Sequence, residues 1–469
     1  MPAKPHLLVL MSDQHHHGFL GCAGHALART PHLDQLAAAG VRFADASCAF
    51  PLCVPSRAAF MTARACHRLG VLDNSGHLPS DVPTWAHGLS AAGYRTVLCG
   101  RMHFVGGDQH HGFLERRVGD VSPGWLGRNV ACERDRGYFG ITAARDSAGP
   151  GHSAMLAYDR AVAAEAQRII YEHETRRDPR PLCLVVSWIA PHDPFIAPPR
   201  FFDLYDGRTE LPANHDAAAP HGLIARRREQ QRAASVTPRT TRRALAAYLG
   251  LVSFLDELIG DVMLAWNSCP SLAADSIKVY TSDHGEMAGE FGLWGKDNFM
   301  QAAVAVPLIL SWPGRWGSGR RGQPVSLLDV GPTLLEAAGS APLPGADGRS
   351  LLAILHDAQA QADRVVMAEM TPAARMVRRG AWKFIHDPGD GPALFNLADD
   401  PHERVNLASL PQHAGLCAEM RQLAHSDGWD ADALSRQRQS RRADLACLAD
   451  WGRLTDAKDP IQWAPPAPL

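Results

Sequence analysis

Four absences narrow the reading of this 469-residue sequence before any motif is considered. No stretch approaches the roughly 18 consecutive apolar residues of a membrane span. The opening residues hold only five consecutive apolar positions, Leu7 to Met11, against the 7–15 of a secretory leader. A soluble, cytoplasmic protein with no membrane contact is therefore expected. Net charge is nearly absent, with 47 Lys and Arg against 49 Asp and Glu, so nucleic acid or another polyanion is not an expected partner. Finally, none of the 10 cysteines forms a Cys-x-x-Cys pair, which excludes zinc ribbons and thioredoxin-type motifs. A disulfide framework is not expected in a cytosolic chain of this length. No internal repeat is present.

What remains is an ordinary globular composition, 46% hydrophobic and 20% charged, with 23 histidines. Three short apolar runs each end on polar residues: Leu7 to Met11 on Ser12-Asp13-Gln14, Leu182 to Ile189 on His192-Asp193, and Ile277 to Thr281 on Ser282-Asp283-His284. Such runs read as buried strands, and ligands of open α/β sheets bind beyond the carboxyl ends of strands. One shared site along a single sheet edge is the expectation. Further strands are expected at 94–99 and 307–312, and helices at 32–39, 84–92 and 154–173. The polar, basic stretch 206–242 reads as a solvated surface excursion. Beyond residue 362 the pattern changes to short strands at 365–369, 376–379, 383–386 and 393–396. This divides the chain into a catalytic unit at 1–362, an α+β subdomain at 363–425 and a charged, initially helical tail at 426–469.

The sharpest motif is Cys53-Val54-Pro55-Ser56-Arg57, followed by Met61-Thr62-Ala63-Arg64. Asp13-Gln14 and Asp283-His284 offer hard oxygen ligands plus one imidazole, a set suited to Ca²⁺ or Mg²⁺, with Mn²⁺ also possible. A divalent cation would neutralise both an anionic ester and the nucleophile that attacks it. Gly292-Leu293-Trp294-Gly295-Lys296 follows Asp283-His284-Gly285-Glu286-Met287. Together these segments resemble the sulfatases of the alkaline-phosphatase superfamily. Asp73-Asn74, Met102 to Phe113 and Pro191-His192-Asp193-Pro194 are similar to the choline-sulfatase branch.

The resemblance implies an α/β fold, a large mixed sheet sandwiched by helices, with a smaller antiparallel sheet near the C-terminus. It implies Asp13, Gln14, Cys53, Asp283 and His284 as metal ligands, calcium being the first expectation. Cys53 would be oxidised to formylglycine by a formylglycine-generating enzyme and would sit at a helix N-terminus, where an oxyanion is favoured. Arg57 would anchor it, His192 and Lys296 would assist the leaving group, and His103 would assist sulfate release. Asn74 and Arg101 would contact the substrate, Arg101 standing where most sulfatases have lysine, and Ala63 replaces the usual glycine. His15, His16 and His17 would line the rim behind Asp13-Gln14. Trp125, Tyr138 and Phe139 are candidate aromatic faces for a quaternary ammonium. The implied activity is hydrolysis of a small choline-sulfate-like or aryl sulfate monoester, in a homodimer or homotetramer. Two alternatives remain open, a phosphonate monoester hydrolase or phosphodiesterase with the same site, and a non-catalytic binding protein.

Overall fold

The computed structural model describes residues 4–122, 124–126, 140–370, 373–455 and 462–464. Its main sheet has eight strands, ordered Gly319–Arg321, Val41–Phe43, Leu308–Ser311, Ser276–Ser282, His6–Asp13, Leu182–Pro191, Arg95–Gly100 and Glu115–Arg116. His6–Asp13 runs parallel to both neighbours, and Leu308–Ser311 runs antiparallel to both of its own. The first strand does not alternate apolar with polar residues because both of its faces are covered. Leu7, Val9 and Met11 enter one core, and Leu8 and Leu10 enter the other.

The first core holds helix Cys53–Thr62 and the second holds helices Ala154–Arg176 and Pro238–Asn267. Ser153 and Thr237 cap the latter two by accepting from Leu156 and Thr240 N–H, which satisfies otherwise orphaned donors. The 30-residue helix Pro238–Asn267 was not anticipated. It starts inside the basic stretch, and helix Gly222–Gln230 also lies there. Most of residues 206–242 are exposed or half-buried, as expected of a solvated stretch. The difference from the expectation is that the stretch is partly helical, Gly222–Gln230 burying only Ile224 and the long helix becoming buried from Thr241 onward.

A second sheet is antiparallel, in the order Val365–Met370, Ala374–Arg379, Trp382–His386, Ala393–Asn396. Its Ala368, Met376 and Ile385 join the first core. Val377, Phe384 and Leu394 face the other way, under helix Ala414–Ala424. The large mixed sheet and small C-terminal sheet are both as expected. The tail forms helix Ala431–Thr455, which returns to the catalytic unit through Arg438–Asp73 at 3.0 Å and Arg441–His77 at 3.1 Å. Farther on, Trp463 N–H donates to the Asp120 carbonyl at 3.0 Å. No described helix is long and apolar enough to cross a membrane.

Candidate active site

Four strands deliver the polar residues to one edge. His6–Asp13 brings Asp13 and Gln14, Ser276–Ser282 brings Asp283 and His284, Arg95–Gly100 brings Arg101 and His103, and Leu182–Pro191 brings His192. The turns are tight. Gln14 and His103 adopt left-handed φ of 66° and 56°, a cost commonly met at functional sites. Gly100 has φ 99°, and a Cβ there would lie 2.1 Å from the Ser187 carbonyl oxygen, so no larger residue fits. Cys53 opens helix Cys53–Thr62. That helix ends on Ala63 at φ 55°, where alanine costs more than the glycine usual in this position.

Cys53 Sγ lies 3.1 Å from His284 Nε2 and 3.9 Å from Asp13 Oδ1. One turn along the helix, Arg57 faces the same way. Its Nε donates to Asp283 Oδ2 at 2.8 Å and its Nη2 to Asp13 Oδ2 at 3.1 Å. Its Nη1 donates to the Arg101 carbonyl at 2.8 Å. Ser56 hydroxyl donates to the Asp283 carbonyl at 2.6 Å, so it holds backbone. Burial opposes the Asp13 charge, but His192, Arg57 and Arg101 outweigh it and hold the carboxyl well below its usual range.

The donor set fits a divalent cation. His284 Nδ1–H donates to the Gly285 carbonyl at 3.0 Å, which leaves the Nε2 lone pair facing inward. That lone pair is 3.7 Å from Asp13 Oδ1 and 3.6 Å from Asp283 Oδ2. Three electron-rich atoms so arranged repel one another unless a cation lies among them, and a second hydrogen bond on the outer nitrogen is usual for a metal-ligating histidine. Ligand atoms of Asp13, Cys53, Asp283 and His284 all lie within 4.8 Å of one another. Burial lowers the His284 pKa, as a neutral ligand requires. Gln14 is fixed from both ends, its amide nitrogen donating to Glu286 and its oxygen accepting from Lys296. Its backbone N–H donates to Asp283 Oδ1 at 3.1 Å.

Lys296 Nζ is 2.9 Å from His192 Nε2. Burial disfavours the ammonium, but Cys53 and Asp13 outweigh it and raise the Lys296 pKa. The ammonium donates, so the His192 proton sits on Nδ1, 2.8 Å from the Asp193 carbonyl. Arg101 is directed away from the cavity: Nε donates to Asp13 Oδ2 at 2.8 Å, Nη1 to Asp120 Oδ1 at 2.8 Å and Nη2 to His103 Nδ1 at 2.9 Å. Burial and then Arg101 push the His103 pKa down to about 3. Asn74 Oδ1 accepts the Val54 N–H at 3.0 Å, which occupies one donor at the helix N-terminus beside Cys53.

Several supporting residues were not singled out from the sequence. Asp120 accepts from both Arg101 and the His103 backbone. Asp159 accepts the Ile189 and Ala190 N–H groups, each at 2.8 Å, just ahead of His192. Neither carboxylate belongs to a local motif. Glu286, by contrast, lies inside the Asp283 to Met287 run and could have been read as a brace for Gln14.

Two expectations change. His15 and His16 do not line a rim: both are buried, His15 bonding the Tyr280 hydroxyl at 2.5 Å and His16 pairing with Glu290 at 3.3 Å. They brace the turn after Gln14. Trp125 packs against Leu445 and Ala449 of the C-terminal helix, so it is no cavity wall, and Tyr138 and Phe139 lie outside the described residues. The cavity at this site measures about 480 Å³ and includes Gln14, Asn74, His192 and Lys296 in its lining.

Comparison with known proteins gives the same family twice over. Residues 5–340 match the Sulfatase family model, and residues 289–426 match that of the N-sulphoglucosamine sulphohydrolase C-terminal region. A choline-sulfatase of Rhizobium meliloti (strain 1021) is 35% identical over 465 residues, covering 94% of this chain and 90% of its own length. The steryl-sulfatase of Mus musculus is 30% identical over 495 residues, covering 88% and 75%. Among solved structures, the phosphonate monoester hydrolase of Agrobacterium radiobacter shares the fold at a TM-score of 0.74 and 22% identity, over 93% of this chain and 96% of that one. With the strands that carry Asp13, His192 and Asp283, the Cys53 helix and nearly its whole length matched in this way, the chain belongs to the sulfatase family and is a sulfuric ester hydrolase.

Proposed function

We propose that this protein is a metal-dependent, formylglycine-type sulfatase that hydrolyses a small organic sulfate monoester, with choline sulfate the first ester to test. The observation that carries the proposal is the Cys53 thiol at a helix N-terminus, 3.1 Å from His284 and 3.9 Å from Asp13, within reach of two carboxylates, two guanidiniums and an ammonium. Asp13, Gln14, Asp283, His284 and the oxidised Cys53 would hold the cation, calcium in our assignment. A thiolate would favour a softer metal, and conversion to oxygen donors makes the set hard. When present, the cation would neutralise the ester, and the hydrated aldehyde of formylglycine would supply the nucleophilic oxygen. A formylglycine-generating enzyme is the partner this maturation needs.

The chain's own groups then divide the work. Arg57 holds Asp13 and Asp283 in one geometry through its fork. Arg101 acts through Asp13 and His103 and is better described as a positioning residue than as a sulfate contact. Lys296 presents its ammonium to the sulfate oxygens, and the Lys296–His192 pair supplies a proton to the departing alkoxide. His103 is assigned to sulfate release; with Nδ1 accepting from Arg101, its neutral ring carries the proton on Nε2. Aliphatic Leu52, Leu72, Ile141 and Leu223 in the cavity lining suit a compact organic leaving group.

Peptide mass spectrometry across residues 40–70 should find Cys53 exchanged for the aldehyde in active protein. Choline sulfate and aryl sulfates should then be cleaved faster than phosphonate monoesters and phosphate diesters. A diesterase activity well above the sulfatase activity would overturn the proposal.

A further inference from the structure

Residues Gly119 to Val121 follow the edge strand Glu115–Arg116 of the main sheet, and each of their three carbonyls is held by a distant donor. The Tyr158 hydroxyl, on helix Ala154–Arg176, donates to the Gly119 carbonyl at 2.9 Å. The Trp463 N–H donates to the Asp120 carbonyl at 3.0 Å, and the Gln462 side-chain amide to the Val121 carbonyl at 3.3 Å. The Trp463 ring meets the Tyr158 ring edge to face, with 5.3 Å between centroids, so the donors form one packed unit. We propose that Trp463 is a positioning residue for sulfate release, strapping down the turn whose Asp120 carboxylate sets His103.

The same turn supplies a buried carboxylate to the site. Asp120 is 3% exposed, its Oδ1 accepting from Arg101 Nη1 at 2.8 Å and its Oδ2 from the His103 N–H at 3.1 Å. The second bond matters because His103 holds a left-handed φ of 56°. A residue with a Cβ persists there only where its surroundings over-determine it. Arg101 in turn donates to His103 Nδ1 at 2.9 Å. Loosening the turn therefore disturbs both the backbone and the ring of His103.

The rest of the site is insulated from that disturbance. Asp13 meets Asp120 only through Arg101, and it keeps Arg57 at 3.1 Å. The Lys296–His192 pair and Cys53 are carried by other elements, with partners of their own at 2.9 and 3.1 Å. The strap thus acts on one step. The assignment rests on the proposed sulfatase mechanism, in which the alcohol departs before the sulfate.

Stopped-flow hydrolysis of an aryl sulfate by the full-length protein with Cys53 converted tests this. In Trp463→Ala, kcat should fall about five- to tenfold, the worth of a hydrogen bond loosened at His103. KM should fall with it, kcat/KM should hold constant, and a burst of phenol should precede the steady state, the signature of a slowed second step. Trp463→Phe keeps a ring on Tyr158 and should restore most of kcat, while Tyr158→Phe, which lacks the bond to Gly119, should act like Trp463→Ala. A variant that is merely less well folded loses kcat at unchanged KM with no burst; that pattern, or an unchanged kcat in Trp463→Ala, would overturn the proposal. Amide hydrogen exchange of the same variants, read by mass spectrometry, needs no turnover. Peptides covering 101–104 and 118–122 should exchange several-fold faster in Trp463→Ala, and peptides covering 182–191 should not change. Faster exchange in a protein that cleaves no ester supports the strap and removes only the sulfatase reading. Unchanged exchange at 101–104 ends the proposal whatever the kinetics.

Discussion

Arg57 is the most informative single residue to perturb. It is 1% exposed and is bonded to Asp283 at 2.8 Å and Asp13 at 3.1 Å. Arg57→Met keeps most of the volume and removes the charge. The two carboxylates lose unequally. Asp13 keeps Arg101 at 2.8 Å, whereas Asp283 keeps only the Gln14 and His284 backbone N–H groups, at 3.1 and 2.9 Å, and no fixed cation. Stranding a buried charge costs about 3–5 kcal/mol, so a loss of about 4 kcal/mol is expected in chelator-treated protein. Unfolding entropy of roughly 2.1 cal/mol/K per residue amounts to about 1 kcal/mol/K for a chain of this size, which converts the loss to a Tm about 4 °C lower. Arg57→Lys keeps a charge but cannot bridge both acids and should lose about half as much. The double variant Arg57→Met/Asp283→Asn removes the stranded charge. It should recover at least half of the lost stability while staying inactive. Scanning calorimetry reads the stability, and turnover with added cation should fall about 10²–10³-fold in Arg57→Met. A Met variant as stable as the natural protein, or a double variant that recovers nothing, would refute the reading of Arg57 as the brace of both acids.

Three further outcomes are expected. A chelator should lower Tm, and calcium returned at 100 times its Kd should restore about 2.7 kcal/mol; Asp283→Asn should respond to neither treatment. Lys296→Met and His192→Asn should slow an alkyl sulfate by about 10²–10⁴-fold and an aryl sulfate much less, since a phenoxide leaves without protonation; equal losses would remove these residues from the leaving-group step. His6 accepts the Leu182 N–H through Nδ1 at 2.9 Å, and burial, helped by His173, lowers its pKa to about 4. The folded pKa lies below the unfolded one, so this contribution to stability is complete above pH 6.5 and is lost as pH falls towards 4, on the order of 2 kcal/mol. Denaturant midpoints at pH 7 and 4.5 should show a smaller drop in His6→Asn.

The sequence by itself determined the strands and the chemistry at their ends. An unbroken run such as Leu7 to Met11 can be stable only with both faces covered, and the polar residues that follow it must lie at the sheet edge. Asp13, Cys53, Asp283 and His284 are each set by a short local pattern, and their convergence followed from placing three strands in one parallel sheet. Tertiary structure alone decided what sits behind them. Asp120 and Asp159 brace Arg101, His103 and the His192 loop from positions with no local motif, because a buried acid is chosen by the donors it must satisfy and those come from other strands. The histidines after Gln14 look the same in sequence whether they bind a metal, line a rim or fill a core; the Tyr280 hydroxyl and the Glu290 carboxylate place His15 and His16 in the interior. The charged tail could have ended anywhere. Its helix lies against the Leu69 to Pro79 loop because Arg438 finds Asp73 and Leu445 finds Trp125, contacts made across some 300 residues or more of chain that no reading of neighbouring positions contains.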